Sequence, residues 1–328
     1  MDRNSTILIA GGTGSIGSIL TKRLLERGVR EVRVLARDET RHQQLIDSLG
    51  RPSNLVSIIG DVRDKMSLDE AINGVDIVIN AAAMKHVKYC EAYPAEAFKA
   101  NVIGTQNLLE LCLQKGVDNF VLASTDKAAD PSTAYGASKF MAERLVVSAA
   151  VRNPGARFVA VRFGNVLGSR NSVLTRIRQL LDSGMPITVV KETMTRYVMT
   201  QSDAAELIVE SLQYGTGGEI FTRNMPVVQV HDLIQAFVER YAQENHLNFD
   251  AVPVVEHEVQ RGEKAHEALF SVHEQPRVRI KDRTLIIAPN DEHTTIGQPL
   301  EPQFVYTSEL VRQLSKDEIR SLLDTARI

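Results

Sequence analysis

Cysteine is scarce in this chain. Its 328 residues include only Cys90 and Cys112. That is too few for a disulfide framework, and no paired-cysteine motif occurs, so both read as reduced thiols of a cytoplasmic protein. Excess charge is lacking too. Lys and Arg number 38, Asp and Glu 41, for a net −3. No basic block or acidic tail stands out, so binding to nucleic acid or a membrane surface has no electrostatic support. Long apolar runs are missing. The first, Thr6–Ala10, is too short for a signal peptide or a membrane span, and glycine follows it at once. The histidines form no HxxxH or HxH group with cysteines or acids, so no metal site is expected. No repeat or low-complexity stretch occurs. What remains, 43% apolar and 24% charged, suits one large globular domain or two fused lobes.

The order of elements is more informative. Thr6–Ala10 reads as a buried parallel strand, Gly11-Gly12-Thr13-Gly14-Ser15-Ile16-Gly17 as a turn, and Ser18 to about Arg27 as a helix stopped by Gly28. Glycines let the backbone approach a pyrophosphate, and the helix N-terminus offers N–H groups and a favourable dipole. Gly11, Thr13, Gly14, Ser15 and Ile16 are therefore expected to hold a dinucleotide; a tight turn without a ligand is the plainer alternative. The second strand, Glu31–Ala36, ends on Arg37 rather than an acid. A guanidinium suits a ribose 2′-phosphate, which favours NADP over NAD, although Asp38 or Glu39 could reach a ribose. Leu55–Ile59 is a third strand. Asp61 after it could cap a helix beginning near Lys65. A fourth strand, 76–80, leads into Ala81 and Ala82, small enough for a cofactor to cross the sheet edge. Helix periodicity spans about 94–115, and 119–123 is a fifth strand. The alternation predicts an α/β fold, a Rossmann-type doubly wound parallel sheet.

The fifth strand delivers Ser124-Thr125-Asp126-Lys127. A helix from about Tyr135 to Ala150 puts Lys139 one turn after the phenol, on the same face. Its ammonium is expected to lower the tyrosine pKa, making Tyr135 a base for a sugar hydroxyl while hydride leaves to a nicotinamide. Asp126 and Lys127 suggest further proton transfers. Dehydration beside a transient ketone needs one group to take an acidified C–H proton and another to protonate the leaving hydroxyl.

The second half reads as a smaller C-terminal substrate-binding lobe. A sixth strand, 157–161, is left behind at Asn165 and Arg170. Residues 171–184 read as a helix with Arg176 and Arg178 on a solvated face. Arg196 sits in an apolar run and needs a diphosphate or a carboxylate partner. Residues 201–203 cap a helix to about Tyr214 that returns to the first lobe, and 230–245 is another amphipathic helix. Arg261 and Glu263 offer a cation for diphosphate and a carboxylate for ribose. Residues 273–303 look loop-like. The last helix, about 316–325, opens with a Ser315-x-x-Glu318 capping box. The expected division is 1–165 with a return near 197–222, against 166–196 and 223–328.

The run Ser124-Thr125-Asp126-Lys127-Ala128, Pro131 and Tyr135-Gly136-Ala137-Ser138-Lys139 resembles nucleotide-sugar 4,6-dehydratases acting on UDP-N-acetylglucosamine. The Gly11, Gly14, Gly17 spacing resembles that of the extended short-chain dehydrogenase/reductase superfamily to which they belong. Related glucose 4,6-dehydratases carry glutamate where Lys127 stands. Met84-Lys85-His86-Val87, the run 162–170, Met194-Thr195-Arg196 and Gly262-Glu263-Lys264 with Glu267 extend the likeness over residues 7–267. The resemblance implies that Asp61 and Val62 meet the adenine, and that Lys85 and Asn101 join the cofactor site. It places Lys85, His86, Asn165, Arg170, Thr195, Arg196, Arg261, Glu263 and Glu267 at the substrate; His86 either holds substrate or packs. Tyr135, tuned by Lys139 and bonded to Thr125, would take the C4 hydroxyl proton as hydride moves to NADP. Lys127 would then remove the C5 proton and Asp126 protonate the C6 hydroxyl, roles that could be exchanged. Hydride returns to C6, and reprotonation of C5 from the opposite face inverts it. Tyr135 resembles the pseudaminic acid branch, whereas the tail 304–318 resembles capsule-type members. Such proteins often form dimers or hexamers, so a homo-oligomer is expected. The alternatives are a retaining dehydratase, a 4-epimerase that leaves Asp126 and Lys127 idle, a GDP-sugar enzyme and a non-catalytic NADP-binding regulator.

Overall fold

Short β-branched runs become strands, and the glycines and acids between them start and stop the helices. The computed structural model describes residues 2–191, 193–248, 252–259, 262–290 and 296–328. The first half alternates β1 (Thr6–Ala10), α1 (Ser15–Glu26), β2 (Glu31–Ala36), α2 (Glu39–Ser48), β3 (Leu55–Ile59), α3 (Lys65–Ile72) and β4 (Ile77–Asn80). Then come α4 (Val87–Ala92), α5 (Pro94–Phe98), α6 (Gly104–Lys115), β5 (Asn119–Thr125), α7 (Ala134–Arg152) and β6 (Arg157–Phe163). The stretch 94–115 is helical throughout, as its periodicity predicts, but not uniformly α. A π-helical turn, Lys99–Ile103, separates α5 from α6. Nor does Asp61 cap α3: Asp64 does, accepting from the Met66 N–H at 3.0 Å.

The chain then builds β7 (Asn165–Val166), α8 (Val173–Asp182), β8 (Ile187–Val190), β9 (Thr195–Met199), α9 (Gln201–Tyr214), β10 (Ile220–Arg223), β11 (Val227–Gln229), α10 (Val230–Glu244) and β12 (Val254–His257). It ends with β13 (Val278–Lys281), β14 (Thr284–Ile287), β15 (Gln298–Pro299) and α11 (Lys316–Ala326). Thr200 and Ser315 open α9 and α11 with full capping boxes, to Asp203 and Glu318.

The main sheet has ten strands in the order β15-β13-β14-β10-β6-β5-β4-β1-β2-β3. The run from β10 to β3 is parallel. The chain reverses direction across the sheet between β1 and β4, so their C-terminal ends open a crevice of the kind that binds ligands in such folds. This is the α/β, doubly wound architecture expected. Its core strands are apolar through their middles: Ile7, Leu8 and Ile9 of β1 and Phe120, Val121 and Leu122 of β5 are fully buried.

Two stretches differ from expectation. Residues 273–303 are not loop-like: β13 and β14 form a hairpin, and β14 pairs antiparallel with β10. Val278 and Ile280 face inward between Arg279 and Lys281, and Asp282 turns the chain at φ 55°. The charges that suggested a loop are the outer face of a strand. Arg178 is not merely solvated. Its guanidinium stacks over Phe237 and Tyr241, 5.2 and 5.7 Å from the ring centroids.

A second core lies apart from the sheet. It gathers Leu174 and Ile177 of α8, Ile187 and Val189 of β8, Leu233 and Phe237 of α10, and Ile319 and Leu323 of α11. The region 223–328 is thus shared: β13–β15 extend the main sheet, while α10 and α11 build this second core.

Candidate active site

The glycine turn is pressed against the end of β4. Gly11 adopts φ +77°, and a Cβ there would lie 2.6 Å from Ala82 N and 2.7 Å from Ala81 C. A Cβ on Gly17 would lie 2.4 Å from the Gly11 carbonyl oxygen. Gly14 caps α1 without a side-chain bond, so backbone N–H groups head the helix unscreened. Ala81 and Ala82 are half-buried beside it, and Ile16 packs on the main core. This cradle fits a dinucleotide. Arg37 is exposed at the end of β2, 3.8 Å from Asp61. Burial raises the Asp61 carboxyl, but hydrogen bonds from Arg63 hold it below the usual carboxylate range. Asp38 is occupied, capping α2 and pairing with Arg41 at 3.2 Å. Val62 is buried under Gly104.

A second layer closes over the turn. The Arg170 N–H donates to Ser15 Oγ at 2.8 Å, and its guanidinium donates to the Thr13 carbonyl. Lys85 Nζ donates to the Arg170 carbonyl at 2.9 Å, and His86 Nε2 meets Asn171 Nδ2 at 3.2 Å. Asn101, presented by the π-helical turn, brackets the segment before Lys85. It accepts from the Met84 N–H, and donates to the Met84 carbonyl and to Ser138 Oγ at 2.9 Å each.

At the end of β5 the reactive groups converge. Thr133 caps α7, whose first turn carries Tyr135 and whose second carries Lys139. Thr125 adjoins the Tyr135 phenol, but its hydroxyl donates to Asp126 Oδ1, at 3.0 Å. Nor is the Tyr135 pKa lowered. Burial pushes the phenol up to about 12, outweighing the cation Lys127 and the neighbouring Thr125 hydroxyl. The cation acting on it is Lys127 rather than Lys139. The Lys139 ammonium is itself pushed down to about 8 by burial, with Glu143 opposing. Lys127 Nζ lies 3.1 Å from Asp126 Oδ1, 3.2 Å from Glu267 Oε1 and 3.5 Å from Asn165 Oδ1. Burial favours its neutral amine, but the two carboxylates prevail and raise its pKa.

Sequence reasoning missed the layer behind this site. Glu143, one turn beyond Lys139, is fully buried. It takes two hydrogen bonds from Arg162, at 3.0 and 2.7 Å, and one from Ser124 Oγ at 2.6 Å. Arg162 also binds Glu274 twice at 2.8 Å. The signal was the spacing Tyr135, Lys139, Glu143, which puts all three on one helical stripe. Tyr197 was missed as well. Its phenol is buried without a partner among the described residues, pushed up by burial and by Asp126.

The remaining substrate candidates are engaged with one another. Arg196 is buried and meets a carboxylate, Glu263, at 3.3 Å, while donating to the carbonyls of Thr195, Lys264 and Ala265. Thr195 Oγ1 is fully buried against Ser308 Oγ and His266 Nδ1, at 2.6 and 2.8 Å. Glu267 lies at Lys127, and Arg261 falls outside the described residues.

A family model described as polysaccharide biosynthesis protein matches residues 7–289. A Methanocaldococcus jannaschii relative named as an uncharacterized membrane protein is 36% identical, covering 98% of this chain and 96% of its own. Among the described residues no helix is long and apolar enough to cross a membrane. A UDP-glucose 4-epimerase of Rickettsia conorii is 33% identical over 98% of this chain and 96% of that one. The X-ray structure of Pen from Bacillus thuringiensis superposes with a TM-score of 0.93 at 32% identity, covering 99% of this chain and 98% of that one. The fold is also that of a UDP-glucose 4-epimerase from Thermus thermophilus in complex with NAD, with a TM-score of 0.68 and 26% identity over 79% of this chain and 88% of that one.

Proposed function

The chain belongs to the polysaccharide biosynthesis protein family, and on that premise we propose that it is a UDP-N-acetylglucosamine 4,6-dehydratase that inverts C5. Nucleotide-sugar dehydratases and epimerases of the extended short-chain dehydrogenase/reductase kind are among its neighbours. One observation carries the finer reading: Lys127 and Asp126, 3.1 Å apart, lie beside the Thr125–Tyr135 pair. An oxidation and its reversal need only the hydroxyl, the phenol and Lys139. An elimination needs a further acid and a further base, and this pair supplies both.

A nicotinamide cofactor held on the Gly11–Gly17 turn would accept hydride from C4 and return it to C6. The protein does the rest. Tyr135, once its own phenol proton has passed to solvent, takes the C4 hydroxyl proton, with Thr125 beside it. Lys127 takes the C5 proton made acidic by the C4 ketone. Asp126 protonates the C6 hydroxyl, which leaves as water. Arg37 supports NADP as the resident cofactor by offering an exposed guanidinium where a 2′-phosphate would sit. We assign the cofactor half to residues 1–165 and 197–222, substrate contacts to Lys85, His86, Asn165, Arg170 and the Arg196–Glu263 pair, and the reaction to the cytoplasm. The assembly is expected to be a homo-oligomer.

Incubation with UDP-N-acetylglucosamine in deuterated water tests the reading. The expected product is a 4-keto-6-deoxy sugar with deuterium at inverted C5; failure to lose the C6 hydroxyl would overturn it. Lys127→Ala should keep the cofactor and slow water loss by roughly 10²–10⁴-fold. A second reading, 4-epimerase, is favoured by the name of the Rickettsia relative. It predicts a C4 epimer with the C6 hydroxyl retained, and indifference to Lys127→Ala.

A further inference from the structure

Glu267 is the buried acid that the reaction above leaves without a task. It reaches Lys127 from the C-terminal segment, whereas Asp126 reaches it from the end of β5. Both are almost fully buried, at 3% and 2% exposed. Each spends one oxygen on the shared ammonium. The other oxygen of each, Glu267 Oε2 and Asp126 Oδ2, is buried with no hydrogen-bond partner among the described residues. A buried carboxylate oxygen without a donor is costly, and a proton on it removes that cost.

The charges around Glu267 can be counted. Asp126 and Lys127 face it from the turn after β5 and Arg196 from β9; Glu263, on its own segment, pairs with Arg196. The phenols of Tyr135 and Tyr197 adjoin Asp126 and are neutral. Three carboxylates (Asp126, Glu263, Glu267) thus meet two cations (Lys127, Arg196), leaving one negative charge in excess. One proton cancels it, and Glu267 is its best holder. Asp126 Oδ1 already accepts from both Thr125 and Lys127, at 3.0 and 3.1 Å, and Glu263 is partly exposed. Burial and then the charge of Asp126 push the Glu267 carboxyl up, against Lys127 and Arg196.

We propose that Glu267 enters the reaction as a carboxylic acid and is a positioning residue for Lys127, leaving Lys127 and Asp126 as a one-to-one pair with a single movable proton. The inference rests on the dehydratase reading. With Glu267 neutral, Lys127 faces one carboxylate instead of two. Its N–H bond can break as an O–H bond forms on Asp126 Oδ1, across 3.1 Å. The neutral amine then takes the C5 proton and the new carboxylic acid protonates the C6 hydroxyl. Once water has left, Lys127 is an ammonium and Asp126 a carboxylate, the pair as it began. An ionised Glu267 blocks the first transfer by holding the ammonium in place.

The test is infrared spectroscopy on the wild-type protein across pH, with Glu267→Gln as reference, together with rates for Glu267→Gln and Glu267→Ala. A carboxylic acid carbonyl band should be present at neutral pH, vanish as pH rises and be missing in Glu267→Gln. Glu267→Ala should lose at least about tenfold in kcat with KM little changed. Glu267→Gln, shaped like the neutral acid, should restore kcat and abolish the fall in rate that follows Glu267 ionisation. Absence of the band from wild type, or Glu267→Gln as impaired as Glu267→Ala, overturns the proposal. The wild type run in parallel separates the two readings: no 6-deoxy product from it overturns the dehydration itself, whereas the band reports on Glu267 without substrate.

Discussion

At the residue scale, the site combines groups whose burial works against their charge. Lys139 is 1% exposed, and its pKa falls from 10.5 to about 8. Below pH 8 both the folded and the unfolded chain carry the proton, and the folded state bears the full cost of burying it. Between about 8 and 10.5 the unfolded chain holds the proton and the folded one does not, so stability rises with pH. Lys139→Met should therefore stabilise the cofactor-free protein at pH 7 by on the order of 3 kcal/mol and abolish that rise. Urea unfolding midpoints at pH 7, 8, 9 and 10 would show it. The same variant should lose turnover, so stability and function part company at one side chain. The likeness of motifs announced Thr125, Asp126, Lys127, Tyr135 and Lys139, because reactive residues cluster at a strand end. It could not announce which charges meet. That depended on Glu267 and Arg196 arriving from distant segments, and sequence spacing says nothing about such meetings.

At the scale of elements, the strand–turn–helix unit at the N-terminus was legible because its chemistry is local. Glycines at 11, 14 and 17 have one physical explanation, a backbone that must come close to something. In Gly11→Ala the left-handed φ and the approach of Ala81 and Ala82 act together. The expected cost is at least about 2 kcal/mol, with loss of dinucleotide binding, measured by thermal unfolding and by cofactor retained through purification. Residues 94–115 were harder to read. A π-helical turn adds a residue to a helix without disturbing its apolar pattern much, so periodicity ran straight through Lys99–Ile103. The turn has a use: it swings Asn101 inward, where its amide holds both the Met84 backbone and Ser138. The hairpin β13–β14 was hidden by its charged face, since alternation over four residues is a weak signal beside Pro276 and the interspersed Arg277, Arg279, Lys281 and Arg283.

At the scale of the molecule, two cores share one chain. The second is small and depends on α11, whose Ile319 and Leu323 are fully buried. Ile319→Ala should cost about 2–5 kcal/mol. Hydrogen exchange should rise first in α8, α10 and α11, while the sheet and its dinucleotide cradle stay protected; a uniform rise would mean that the two cores unfold as one. The chain leaves the main sheet after β10, builds α10 of this lobe, and comes back with the hairpin that pairs onto β10. That return has a consequence during synthesis. As the chain emerges from the ribosome, β10 is an open sheet edge from its first appearance until residues 284–287 follow, more than sixty residues later. Through that interval the nascent sheet offers bare backbone to any neighbouring strand. The demand for chaperone protection should therefore be concentrated late in translation, in a window set by one strand pairing.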